Sequence, residues 1–275
     1  MAAGLSVVVP AYESWPLLER TLAAVVHDAG RLDVPCEVIV VDNESDPSLV
    51  QEAWRRFGSS GVLRTHRRTG LRGSHFQPGA ARNEGIARAR HEKLVFLDSD
   101  CVPAEALLRR YAAELEASPD DVLIGHRVFI DPGRFGADAV ARDRALLERA
   151  PRVPSESNYG RVADRRLPEL HRLATHPRPY DCLFGCNFAI RRDTLGELRF
   201  RARYDGHWGY EDIDLGYRLH RLGRPFGYVP EAFVYHQEGG YLTETDRRRQ
   251  RSRNFAILAA AVPGFASYRA RTSRP

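Results

Sequence analysis

Between residues 5 and 97, short unbroken apolar runs alternate with longer stretches in which apolar side chains return every three or four positions. The runs are residues 5–10 (LSVVVP), 36–41 (CEVIVV), 62–65 and 93–97 (KLVFL), several of them β-branched. Continuous apolar runs of this length suit strands of a parallel sheet buried on both faces. Residues 15–29 place Leu17, Leu18, Leu22, Val25 and Val26 on one side and predict a helix, and residues 47–57 and 80–90 predict two more. Pro103 predicts a further helix starting there, since proline's missing N–H costs nothing in a first turn. The alternation predicts an α/β fold, an open, Rossmann-like and mostly parallel sheet with helices on both faces.

After about residue 120 the pattern is less regular. Residues 122–130 predict a strand, 135–150 a helix, and 184–190 another strand. The Pro-, Ser- and Asn-containing stretch 152–160 predicts a loop of the kind that serves as a lid. Residues 213–222 predict a helix, 226–236 two short strands around Pro230, and 243–261 a terminal helix. There is no internal repeat and no linker. The expected organisation is one domain over residues 1–240, with a nucleotide-binding half (1–120) and an acceptor-binding half (121–240). A basic helical tail, 241–275, follows.

Composition adds limits. The 275 residues are 43% hydrophobic and 28% charged, as in an ordinary globular protein. No apolar run is long enough to cross a membrane, and the first residues read as a strand rather than a leader, so a cytoplasmic protein is expected. Cys36, Cys101, Cys182 and Cys186 are too few for a disulfide scaffold and lack the spacing of a zinc site; buried reduced thiols are expected. The net charge of +5, almost all from arginine, suits anionic ligands.

In open α/β sheets, ligands bind beyond the carboxyl ends of the strands. Three polar motifs fall there: Pro10-Ala11-Tyr12, Asp42-Asn43 and Asp98-Ser99-Asp100. An Asp-x-Asp turn can be no more than a strand terminator. On a rim with two other polar motifs, its paired carboxylates point to Mn²⁺ or Mg²⁺ and a diphosphate. Farther on, Glu211, Asp212 and Asp214 open a helix after Trp208-Gly209-Tyr210. Favourable placement at a helix N-terminus, about 0.3–1 kcal/mol per acid, explains one or two of them. It does not explain the aromatic approach, which reads as a substrate platform. His236, at another strand end, is a candidate third metal ligand.

These motifs resemble the inverting glycosyltransferases of the large GT-A family typified by bacterial polysaccharide and chondroitin synthases. The later part is similar to the C-terminal region of the β-1,4-galactosyltransferases. The carrying stretches are VVVPAY at 7–12, VIVVDN at 38–43, GAARNEG at 79–85 and FLDSD at 96–100. They continue with GCNFAI at 185–190, WGYEDIDL at 208–215 and YHQ at 235–237, all in the family's order.

The resemblance implies that Pro10, Ala11, Tyr12 and Glu13 surround the nucleotide. Asp42 would contact base or ribose, and Arg82 and Asn83 would line the nucleotide pocket. Asp98 and Ser99 would also lie on the nucleotide, with Asp98 on the ribose or a metal-bound water. Asp100 and His236 would ligate Mn²⁺ or Mg²⁺. Asp212 would be the general base, Glu211 would position the acceptor, and Trp208, Gly209 and Tyr210 would floor its site. The implied donor is a nucleotide sugar, with UDP favoured, and the implied product is inverted. Asn43 stands where the family commonly has a second Asp.

The rival readings are a retaining transferase of similar fold, a sugar-phosphate nucleotidyltransferase and a catalytically dead sugar-binding relative. The nucleotidyltransferase lacks its Gly-rich signature here. Arg247, Arg248, Arg249, Arg251 and Arg253 raise nucleic acid as a partner, but no aromatics interleave with them. A solvated helix face is expected instead, or a membrane-surface helix with residues 255–262 dipping into lipid. The acceptor is a hydroxyl of unknown class, and residues 130–180 are expected to choose it.

Overall fold

The computed structural model describes residues 2–46, 48–71, 76–133, 135–238 and 244–267, with backbone alone at 2–3, 156 and 244–250. The first half follows the expected alternation: β1 (Ala2–Ala11), α1 (Trp15–Ala29), β2 (Cys36–Asp42), α2 (Leu49–Phe57), β3 (Leu63–Arg67), α3 (Pro78–Arg88) and β4 (His91–Leu97). Next come β5 (Cys101–Pro103), α4 (Leu107–Ala117), β6 (Val122–Ile124), β7 (Arg127–Ile130), α5 (Ala137–Arg142), α6 (Ala145–Glu148) and α7 (Leu167–Leu170). The chain closes with β8 (Asn187–Arg191), α8 (Arg192–Leu195), α9 (Glu211–Arg221), β9 (Phe226–Tyr228), β10 (Val234–Gln237) and α10 (Glu244–Ala261).

A seven-stranded sheet runs β3-β2-β1-β4-β8-β6-β9, and only β8 is antiparallel to its neighbours. The apolar runs are buried on both faces because helices cover both. One core packs Val7, Val9, Val38 and Val40 against Leu18, Leu22, Leu107 and Tyr111. The other packs Val8, Phe96 and Phe188 against Ile86, Ile213 and Leu219. Gly85 allows α3 to lie close on β1, for a Cβ there would overlap Val8.

A second sheet, β5-β10-β7, is built entirely from strands that continue strands of the first. Asp98-Ser99-Asp100 carries the chain from β4 to β5, Gly125-His126 from β6 to β7, and the turn after Tyr228 from β9 to β10. Three crossings between the sheets therefore meet at one edge of the molecule.

Three sequence expectations change. Residues 122–130 are not one strand, because Gly125 sits against the Ala232 carbonyl and Asn187, with no room for a Cβ. Pro103 ends β5 rather than starting a helix. On that edge strand its missing N–H leaves no ladder bond unmade, and the helix begins at Leu107. The expected helix 135–150 breaks at Asp143, whose backbone is extended. The following Arg144 turns inward to the Pro103 and Ala24 carbonyls, at 3.1 Å each, and to Asp28 at 2.8 Å.

The terminal helix also differs from expectation. Its Leu258 and Val262, with Phe265 just beyond it, are fully buried in the second core, and Phe255 packs on Tyr210. Of the positions proposed for lipid, Leu258 and Val262 are buried in the protein, Phe255, Ile257, Ala259 and Ala261 are half-buried, and Ala256 and Ala260 are exposed. The side chains of Arg247, Arg248 and Arg249 lie outside the described residues, as do residues 72–75. Among the described residues, no helix is long and apolar enough to cross a membrane.

Candidate active site

A cleft of about 410 Å³ opens where the two sheets meet. It is lined by Pro10, Ala11, Tyr12, Glu13 and Asn43 from the first two strand ends, and by Asp98, Ser99 and Asp100 from the third. Ser14 Oγ donates to Ser99 Oγ at 3.1 Å, joining the first and third of these motifs. Glu13, Glu44, Tyr159 and Tyr210 are the described non-glycine residues with left-handed φ, and all but Glu44 line the cleft. Such conformations cost energy and gather where a site must aim its groups.

Arg82 is the centre of the arrangement. Its side chain is 3% exposed, and it donates to Asp98 Oδ1 at 2.6 Å and to Glu211 Oε1 at 3.0 Å. Burial alone would lower this guanidinium's pKa, but Asp98, Glu211 and Asp212 outweigh it and hold the pKa above the ordinary value. Arg82 thus ties the third strand-end motif to the acids of α9. Gly185 makes this possible, because any Cβ there would overlap the guanidinium.

Gly185 does a second job: its N–H donates to Asp212 Oδ2 at 2.9 Å, while the Ile213 N–H donates to Oδ1 at 2.8 Å. Both bonds fix the carboxylate and favour its charged form. Burial is the larger influence, and the Asp212 pKa is raised. Glu211 is pushed up to about 7 by burial first and Asp212 second, with Arg82 opposing. A pair of buried carboxylates beside one guanidinium is what a proton acceptor poised near neutrality requires. The left-handed Gly209 and Tyr210 turn the chain so that both acids face the cleft. Asp214 does not face it. It is fully buried in a knot with Arg203 at 2.7 Å, Arg218 at 2.8 Å and the Tyr204 hydroxyl at 3.1 Å.

The metal candidates are rearranged. Asp98 is turned to Arg82, and the groups that converge are Asp100, Cys101 and His236. His236 Nε2 lies 3.7 Å from Asp100 Oδ2, and its Nδ1 lies 3.0 Å from Glu238 Oε1. Burial pulls the imidazole down, yet Asp100 and Glu238 bring it up to about 9. Cys101 Sγ donates to Asp100 Oδ1 at 3.3 Å, and burial holds its thiol well above its usual range. Of these donors, the carboxylate oxygen of Asp100 and the imidazole nitrogen of His236 suit a hard cation better than the soft sulfur of Cys101 does, and the imidazole would release its proton on binding one.

Two predicted residues do not reach the cleft. Asp42 is fully buried, accepting bonds from the Ser45 N–H and hydroxyl, and Asn43 lines the cleft in its place. Asn83 pairs with the Phe200 backbone through both ends of its amide, at 2.8 and 2.9 Å. Trp208, Gly209 and Tyr210 line the cleft, although the Tyr210 ring packs back on Phe255 and Phe265. Local pattern does not disclose that Arg127, Tyr159, Phe184 and Arg165 also line the cleft, nor that Arg251 from α10 does. The signal for Arg127 was an arginine opening an apolar strand; for Arg251, a cluster taken as a solvated face.

Comparison with known proteins gives the family. The family model described as glycosyl transferase family 2 matches residues 6–199. The chain is 30% identical over 276 residues to the chondroitin synthase of Pasteurella multocida (strain Pm70), and 30% over 270 residues to the hyaluronan synthase of Pasteurella multocida. Each match covers 94% of this chain and 27% of the relative, so the chain spans about a quarter of their length. In fold it is similar to S. aureus TarS 1–349 in complex with UDP-GlcNAc (TM-score 0.57, 17% identity, 88% of this chain and 60% of that one). It is also similar to the mannosyltransferase PcManGT from Pyrobaculum calidifontis in complex with GDP-Man and Mn²⁺ (TM-score 0.56, 21% identity, 93% and 64%). With a family model that spans most of its length and a mostly parallel α/β sheet of GT-A type, this chain belongs to glycosyl transferase family 2.

Proposed function

We propose that the chain transfers a sugar from a nucleotide sugar, a UDP-hexose or UDP-N-acetylhexosamine, to an acceptor hydroxyl with inversion. The observation that carries this is the Asp98–Arg82–Glu211 bridge, which sets a backbone-held Asp212 beside the strand-end motifs. Pro10, Ala11, Tyr12 and Glu13 would surround the nucleotide, with Asn43 closer to it than Asp42.

Asp212 would accept the proton of the attacking hydroxyl, a role worth typically about 10²–10⁴ in rate. Its two backbone N–H partners aim the carboxylate and leave lone pairs for the incoming proton. Glu211, pinned by Arg82, would orient the acceptor. Displacement from the face opposite the leaving group gives a β-linkage from an α-linked donor.

Asp100 and His236 would hold Mn²⁺ or Mg²⁺. The fit rests on the donor set: a carboxylate oxygen of Asp100 and a ring nitrogen of His236 converge, with Glu238 behind the imidazole. A cation there supplies Lewis-acid neutralisation of the departing diphosphate. Mn²⁺ with GDP-Man in the mannosyltransferase complex, and UDP-GlcNAc in the TarS complex, support both partners. The unpaired cysteines suit a reducing compartment and a cytoplasmic setting.

The test is a screen of nucleotide sugars with Mn²⁺, following release of nucleoside diphosphate and the product anomer by NMR. UDP release and a β-product from an α-donor are expected. No nucleoside diphosphate from nucleotide sugars, with pyrophosphate released from a nucleoside triphosphate and a sugar 1-phosphate instead, would point to a nucleotidyltransferase, and an α-product to retention.

A further inference from the structure

We propose that the cleft carries an anion subsite on its acceptor side, in which Arg251, Arg165 and Arg127 read a carboxylate or phosphate on the acceptor. This rests on the transferase reading above and adds the acceptor's chemical class to it.

The cleft is divided by charge. Its acids are gathered at the strand ends and the start of α9, where cation, nucleotide and proton transfer would draw on them. The rest of the lining includes a wall of three arginines interleaved with aromatic rings, Arg127 reaching the His236 side of the cleft. The Arg251 guanidinium carbon lies 4.3 Å from the Trp208 ring centroid and 5.0 Å from that of Tyr159. Arg165 lies 5.0 Å from Tyr159 and 5.5 Å from Phe184, and Arg127 lies 4.8 Å from Phe184. This wall touches the catalytic acids through the chain itself. Phe184 precedes Gly185, which bonds Asp212, and Trp208 opens the approach to Glu211.

Positive charge on this wall is incompletely matched. Asp164 is one carboxylate shared by two buried guanidinium groups: Arg166 takes both its oxygens, while Arg127 reaches Oδ2 at 3.4 Å. Arg127 is 4% exposed, and its Nη2 has no hydrogen-bond partner among the described residues. Arg251 has no carboxylate within ion-pair distance among them either. A buried guanidinium nitrogen without a partner is costly, and an anion at the cleft wall would supply one. Planar guanidinium groups held on aromatic faces are suited to bidentate bonds with carboxylate or phosphate.

The test compares three glycosides that differ in one group: p-nitrophenyl β-glucoside, its β-glucuronide, and the β-glucoside 6-phosphate. Binding to the full chain is measured by calorimetry, with and without UDP and Mn²⁺. At least one acidic glycoside should bind about tenfold or more tighter than the neutral one, as expected for one charge-assisted pair. Which of the two wins identifies carboxylate or phosphate as the group read. Arg251→Gln should erase most of that preference and Arg251→Lys should keep part of it. A thermal melt of each variant establishes that it is folded.

Equal binding of all three glycosides, or an equal loss on all three in Arg251→Gln, would overturn the proposal. So would a loss confined to UDP, which would assign the arginines to the donor diphosphate. Because binding is read without turnover, failure here leaves the donor screen unaffected. A chain that hydrolyses no nucleotide sugar would instead strike at the transferase reading.

Discussion

Gly185 and Arg82 fit together so closely that a single methyl group on the glycine would overlap the guanidinium. The same glycine holds Asp212 through its N–H. Gly185→Ala should therefore shift Arg82 and the acids on either side of it. Ångström-scale misplacement of this sort costs roughly 10²-fold in rate. Steady-state turnover of the donor found in the screen, together with a thermal melt, checks this. A folded variant with near wild-type turnover would mean that Arg82 placement is incidental.

The pH profile should carry the mark of the paired acids. Glu211 is pushed up to about 7 and Asp212 is raised by burial. The two titrate as a coupled pair, and a protonated base cannot accept the acceptor's proton. The acid limb of kcat/KM is expected above the ordinary carboxylate range, because burial raises the Asp212 pKa. Glu211→Gln removes one negative neighbour and should move this acid limb to lower pH. An acid limb in both proteins at the ordinary carboxylate pKa would contradict the arrangement.

Asp164 lies between Arg127 and Arg166, fully buried with both. Burial alone would raise its pKa, but Arg166 and then Arg127 overcome this and hold the carboxyl well below its usual range. Its folded pKa is thus depressed. The stability it adds is present above the unfolded value of about 3.9 and is lost as pH falls through the folded one. Asp164→Asn leaves two guanidinium groups without their carboxylate and should cost about 3–5 kcal/mol at neutral pH. Urea unfolding from neutral to acid pH measures both effects. A variant as stable as the parent would show that the pair is not needed.

The sequence revealed the first half of this site far better than the second. β1, β2 and β4 are continuous apolar runs ended by polar residues, so their carboxyl ends, and the site beyond them, follow from local pattern. The break at Gly125 was hidden because it is set by Ala232 and Asn187, both more than sixty residues away. Pro103 misled for the same reason: its place in β5 is fixed by Val234 across the ladder. Among the acids, the sequence showed Glu211, Asp212 and Asp214 as one cluster. Only packing separates the two that face the cleft from the one that Arg203 and Arg218 bury. Asn83 sits in a family motif, yet its side chain is occupied by the Phe200 backbone, which no local pattern discloses, while Asp42 is taken up locally by Ser45. Arg251 was legible only as charge, since its partners Trp208 and Tyr159 come from other segments.

The most direct measurement compares Asp212→Asn with the parent chain, using the donor found in the screen and Mn²⁺. Donor affinity is read by calorimetry and glycosyl transfer by product formation. Unchanged donor binding with transfer reduced by about 10²–10⁴ is predicted for loss of a general base. Transfer at the parent rate, with the donor bound normally, would contradict the assignment of Asp212.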